Sequence, residues 1–160
     1  KTVCILGCGS VGAECAKRFE AFGCRVLGIA TGARAQEHFE AVYAMDSLMD
    51  VLPQADIVVL TLPLTEQTKH LFSRAAFEAM KPGSVLVNLA RGAIVDTAAL
   101  TEALETKLGG AVLDVFEEEP LGQNSPLWDM ENVIVTPHNS FVGDHNSLRL
   151  GNVIMENLSR

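Results

Sequence analysis

Gly7-Cys8-Gly9-Ser10-Val11-Gly12 places three glycines at the spacing G-x-G-x-x-G. In that spacing the first glycine permits a tight turn, the second keeps a Cβ out of the path of a phosphate, and the third lets helix and strand approach closely. Six residues alone are a weak signal, because glycines cluster in many turns. Context strengthens it: TVCIL, an apolar run of strand length, comes immediately before, and a helix-like stretch from Ser10 to Phe22 follows. The free N–H groups of that helix N-terminus, with their partial positive charge, would face a diphosphate. At the end of the second apolar run, RVLGIA, an NAD-selective site carries an Asp or Glu that accepts from the adenosine ribose hydroxyls. This chain has Ala30 there, followed by Thr31, Gly32 and, two residues on, Arg34. A carboxylate would repel a 2′-phosphate, whereas a hydroxyl and a guanidinium would hold one. NADP(H) is therefore favoured, with NAD(H) as the alternative.

Three more segments bring polar groups to the carboxyl ends of strand-like runs, where open α/β sheets place their ligands. They are NLARGAIVD (88–96), LDVFEEEPL (113–121) and VTPHNS (135–140).

The elements that must position these groups alternate between apolar runs of strand length and amphipathic stretches of helix length. Strands are expected at 2–6, 25–29, 42–44, 56–62, 84–88, 111–115 and 133–135, several of them apolar on both faces, as strands covered from both sides must be. Val11, Cys15, Phe19 and Phe22 form one face of the first helix, and Gly23 stops it. Asp96 is suited to cap a helix whose Leu100, Ala103 and Leu104 face inward. Pro82-Gly83 makes a turn, and a last helix from about Asn146 carries Leu150, Ile154 and Leu158 as an apolar stripe that needs a partner. The fold class is α/β, a doubly wound parallel sheet of the Rossmann type.

With 12 basic and 20 acidic residues the net charge is −8, the wrong sign for neutralising a phosphate backbone, so nucleic acid is not an expected partner. The longest nearly apolar run, 57–64, is far short of the ~20 residues that span a bilayer, and the N-terminus shows no signal-peptide pattern. Cys4, Cys8, Cys15 and Cys24 show neither a C-x-x-C pair nor a His at metal spacing. Free thiols, no metal and a cytoplasmic location are the expectation.

Taken in order, the glycine loop, ADIVVLTLPLTEQTKHLF (55–72) and the three polar segments resemble the D-isomer-specific 2-hydroxyacid dehydrogenases, over nearly the whole chain. The resemblance implies hydride transfer between a nicotinamide cofactor and a small 2-oxo acid or D-2-hydroxy acid. It places the family's catalytic Arg on Arg91, a planar fork of donors suited to a carboxylate and a polarised carbonyl. It places the general acid/base on His138 and its partner acid on Glu119, which would orient the imidazole. It implies cofactor contacts at Ser10 and Val11 beside the diphosphate, Leu62 and Pro63 beside the adenosine, Leu89 and Ala90 near the nicotinamide ribose, and Asp114 and Ser140 near the carboxamide. Asn139-Ser140-Phe141 departs from the small-residue step frequent in the family after the His. His38, His70 and His145 have no comparable support. The resemblance also implies a separate substrate domain absent from residues 1–160, weak turnover by the isolated piece, and a homodimer. An NAD(H)-sensing module of the corepressor type is the competing class.

Overall fold

A computed structural model describes residues 1–159. Seven strands form one parallel sheet: β1 Thr2–Leu6, β2 Arg25–Ala30, β3 Ala41–Ala44, β4 Ile57–Leu60, β5 Val85–Asn88, β6 Gly110–Leu113 and β7 Val133–Val135, in the order β3-β2-β1-β4-β5-β6-β7. Helices α1 Ser10–Ala21, α2 Leu48–Val51, α3 Arg74–Ala79, α4 Thr97–Thr106 and α5 Asn146–Leu158 connect or follow them. All seven expected strands form. Two short helices, α2 and α3, were not anticipated, because four and six residues carry too little periodicity to stand out.

Period-2 alternation divides the core. Val3 and Ile5 of β1 join Val26 and Val59 on one face, under Ala16 of α1; Cys4 and Leu6 join Leu27, Val58 and Leu60 on the other, under α2, α3 and α4. Burial on both faces explains why the central strands read as continuous apolar runs.

The face of α1 differs from expectation. Gly12 and Ala16 are buried, with Cys15 and Phe19 packed beside them, while Val11 and Phe22 are exposed. The cause is proximity: a Cβ on Gly12 would lie 2.0 Å from the Gly7 carbonyl oxygen, so the small-residue row faces the sheet and the bulkier row rotates outward. Gly23, at φ +73, ends the helix as expected.

Several strands end sooner than their apolar runs. β4 stops at Leu60 because Thr61 turns its hydroxyl to the Leu6 and Gly7 carbonyls, at 3.1 and 2.7 Å. β6 stops at Leu113 because Asp114 is drawn into the loop beyond β7. Asp96 caps α4 by accepting the Ala99 N–H at 3.0 Å, and Leu100, Ala103 and Leu104 are buried. Helix α5 starts at Asn146 as expected; it has no buried residue, and its Leu150, Ile154 and Leu158 are exposed. Among the described residues no helix is long and apolar enough to cross a membrane.

Candidate active site

Strand order reverses between β1 and β4, and such switch points open a crevice at the carboxyl edge of a parallel sheet. A cleft of about 870 Å³ lies there, walled by Gly7, Gly9, Ala30, Thr31, Arg34, Leu62 and Pro63 of the expected residues, with Gln36, Met45, Thr65, Gln67 and Thr68 added by the fold. Gly7 adopts φ +98, and a Cβ on it would strike the Leu62 backbone N at 2.6 Å, so only glycine lets β1 turn this close to the loop after β4. A Cβ on Gly9 would meet nothing within 4 Å. Its bareness serves the cleft, since the position is the N-cap of α1 and offers no side chain to its first-turn N–H groups. Ser10 and Val11 follow on that first turn. The chain therefore presents a cradle suited to an anion: backbone donors, helix dipole and an open approach. At the β2 end of the cleft Arg34 forms no ion pair among the described residues, whereas Arg18, Arg25 and Arg74 each hold a carboxylate.

Further along the same edge, β5, β6 and β7 deliver the polar segments. Asn88, fully buried at the end of β5, donates to the Arg91 carbonyl at 3.2 Å and accepts from the Ala90 N–H at 3.1 Å. Its amide so shapes the turn that carries Leu89, Ala90 and Arg91, and Arg91 Nη1 donates to the Ala90 carbonyl at 2.6 Å. Gly92 comes next. A Cβ there would sit 1.8 Å from the Phe116 carbonyl carbon, so its absence lets the Arg91 turn pack directly on the loop after β6.

In that loop Glu119 Oε1 accepts the Phe116 N–H at 3.0 Å, and Oε2 lies 2.7 Å from His138 Nδ1. The bond from His138, then that from Phe116, with the field of Arg91 added, holds the Glu119 carboxyl below its ordinary range. A pocket of about 460 Å³ has Glu119 and His138 in its wall beside Phe116, Leu121 and Trp128.

His138 stands at φ +50, a left-handed backbone that disfavours residues with a Cβ. Asp114 holds it there. This carboxylate, 1% exposed, accepts from Thr136 Oγ1 at 2.5 Å and from the Asn139 and Ser140 N–H groups at 3.0 Å each, bracketing the histidine. Burial would raise the Asp114 carboxyl, but the bonds from Ser140, Thr136 and Asn139 outweigh it and bring it down to about 2. What the hydrogen bonds show for Asp114 is the capping of a loop. Ser140 lends that cap a backbone donor, and Phe141 stands edge-on to His138 at 6.4 Å. Glu119 and His138 are in direct contact, and the charge of Arg91 reaches Glu119 without a bond to either; Leu89, Ala90 and Asp114 lie on the neighbouring strand ends and do not wall the 870 Å³ cleft.

The roles of Asn88, Gly92 and Thr136 were missed, although all three lie in the quoted segments. Their partners are close only in space, and no local pattern marks them.

A parallel sheet whose switch point is occupied by a glycine turn opening a helix is a dinucleotide-binding domain of the Rossmann class. Comparison with known proteins makes this specific: residues 1–140 match the model for "D-isomer specific 2-hydroxyacid dehydrogenase, NAD binding domain", and the chain belongs to that family. It is 41% identical over 159 residues to a glyoxylate reductase of Aeropyrum pernix, covering 99% of this chain and 48% of the relative. The structure superposes with a TM-score of 0.89 at 31% identity on a probable 2-hydroxyacid dehydrogenase of Rhizobium etli in complex with NADP, covering 99% of this chain and 52% of that one. It superposes with a TM-score of 0.82 at 40% identity on a D-isomer specific 2-hydroxyacid dehydrogenase of Xanthobacter autotrophicus in complex with NADPH, covering 86% and 44%. The chain thus spans about half the length of the relatives it matches.

Proposed function

We propose that this chain is the cofactor-binding half of an oxidoreductase that interconverts a 2-oxo acid and a D-2-hydroxy acid, with His138 as general acid/base. The observation that carries it is the 2.7 Å bond from His138 Nδ1 to Glu119 Oε2 at the same sheet edge as the glycine cleft. A carboxylate only accepts, so Nδ1 carries the proton of that bond, and Nε2 is the nitrogen that exchanges a proton with substrate. In reduction His138 Nε2 donates to the carbonyl oxygen; in oxidation it takes the proton back. Glu119 keeps the ring oriented and balances its positive charge. Arg91 binds the substrate carboxylate and polarises the carbonyl. A nicotinamide dinucleotide bound in the cleft supplies or accepts the hydride. Gly7, Gly9, Ser10, Val11 and Gly12 would hold its diphosphate, Leu62 and Pro63 its adenosine, Leu89 and Ala90 its nicotinamide ribose, and Asp114 with Ser140 its carboxamide.

NADP(H) is the preferred cofactor in this proposal, because Ala30 presents no charge to a 2′-phosphate while Thr31 and Arg34 offer donors. Two solved relatives contain NADPH or NADP, which supports the preference. A second domain closes over the cleft to exclude water and complete the substrate site, so the piece alone turns over weakly. The whole enzyme is a homodimer in the cytoplasm.

The test is a screen of glyoxylate, hydroxypyruvate, pyruvate and bulkier 2-oxo acids against the full-length protein with NADPH and NADH. His138→Ala lowers kcat by about a hundredfold or more while cofactor binding survives. Arg34→Ala weakens NADPH binding and spares NADH. A parent protein that binds cofactor but reduces none of these acids would favour the sensing module, and equal or tighter binding of NADH would remove the NADP(H) preference.

A further inference from the structure

His70 and Glu117 take no part in the scheme above, yet they form a second histidine–carboxylate pair, with His70 Nε2 2.6 Å from Glu117 Oε1. The other Glu117 oxygen accepts the Thr97 N–H, at the first turn of α4, at 2.8 Å. Burial works against the charge of Glu117, but the bonds from Thr97 and His70 prevail and keep its carboxyl below the ordinary range.

The places these residues occupy give the pair its interest. His70 ends the segment whose Leu62, Pro63, Thr65, Gln67 and Thr68 wall the cofactor cleft. Glu117 adjoins Phe116, whose N–H holds Glu119. The His70 segment is also joined to the Arg91 turn: the His70 N–H donates to the Ala93 carbonyl at 2.8 Å and the Phe72 N–H to the Ile94 carbonyl at 3.0 Å. His70 is at φ +49, an unfavourable backbone for a residue with a Cβ, and the ring it aims at Glu117 is the contact that this conformation makes.

We propose that Glu117 and His70 are positioning residues for the proton-transfer pair. The Glu117 carboxylate clamps the Glu119 loop to α4 and, through His70, to the wall of the cofactor cleft, so a dinucleotide that settles on that wall also steadies the seat of His138. The inference rests on His138 acting as the acid. A tie that served folding alone would lower stability without changing how the folded enzyme transfers protons.

The full-length protein carries the test, with His70→Leu, His70→Gln and Glu117→Ala assayed for 2-oxo acid reduction across pH. His70→Leu and Glu117→Ala lower kcat ten- to a hundredfold, on the order expected when a reacting group shifts by about an ångström, with little change in the 2-oxo acid KM. They also move the pH of half-maximal reduction downward, because a loosened Glu119 supports the protonated imidazole less well. Arg91, the other charge acting on Glu119, is untouched. His70→Gln, whose amide N–H can reach the same oxygen, restores most of kcat. Wild-type kcat and pH profile in both disruptive variants would overturn the inference, as would a loss that Gln fails to rescue and that leaves the pH profile in place. Should Glu117→Ala not fold, the two His70 variants decide alone. Should the parent reduce no 2-oxo acid, the proposed function fails first; NMR of the His138 ring protons then decides, unchanged resonances in His70→Leu overturning the clamp and shifted ones upholding it.

Discussion

Replacing Asp114 by Asn tests how the histidine loop is held. The wild-type carboxylate gathers three donors, Thr136 Oγ1 and the Asn139 N–H on one oxygen and the Ser140 N–H on the other. An Asn keeps the first oxygen but turns an NH2 toward the Ser140 N–H, so one charge-assisted bond becomes donor against donor in a buried site. That change costs about 3 kcal/mol near neutral pH. The pH dependence is the sharper measure. The Asp114 carboxyl falls from its ordinary 3.8 to about 2 on folding. A depressed carboxyl contributes stability that is fully present above the unfolded value and lost as pH falls through the folded one. The whole contribution is about 2.5 kcal/mol, of which about 1 kcal/mol is gone by pH 3 and the rest by about pH 1. Asp56 is also lowered to about 2, by the Thr2 N–H and then Lys81, and titrates in the same direction. Because it is common to both proteins, it cancels in their difference. Urea unfolding at pH 6, 4 and 3 should therefore show Asp114→Asn less stable by about 3 kcal/mol at pH 6 and the gap narrowing by about 1 kcal/mol at pH 3. A constant gap across that range would mean that Asp114 is not the ionised anchor of the loop, and the account of His138's left-handed backbone would fail with it.

Two further tests use the packing. Gly9→Val should leave urea stability within about 0.5 kcal/mol of wild type, since its Cβ meets nothing, yet abolish dinucleotide binding read by NADPH fluorescence. Gly92→Ala should do the reverse in kind, destabilising the chain by about 3 kcal/mol because its Cβ meets the Phe116 backbone, and lowering kcat in the full-length enzyme by displacing Arg91 from Glu119. Burial pushes the Cys4 thiol up to about 12 and the Cys8 thiol up to about 11. Both should stay silent to Ellman's reagent at pH 8 in the native protein, and all four thiols should react once it is denatured.

Much of this molecule is legible in its sequence, for a local reason in each case. The seven strands announce themselves because a sheet covered on both sides demands continuous apolar runs, and Gly7, Gly9 and Gly12 because their spacing falls within six consecutive residues between a strand and a helix. Asp96 was readable as a cap since its acceptor serves a donor only three residues on. Motif resemblance singled out Arg91, Glu119 and His138, and of these the structure joins His138 to Glu119 at the carboxyl edge, where parallel sheets gather their ligand-binding loops. Other features depended on where distant segments met. The inward face of α1 was decided by how closely Gly12 approaches Gly7, not by where the larger apolar residues recur. Asp114 reads as the end of a buried strand, but folding turns it to the backbone of residues 139 and 140. His70 and Glu117, 47 residues apart, become partners only because parallel strands carry both of their loops to one edge. Local sterics and periodicity are written along the chain; hydrogen bonds between loops depend on strand order and register, which tertiary packing alone sets.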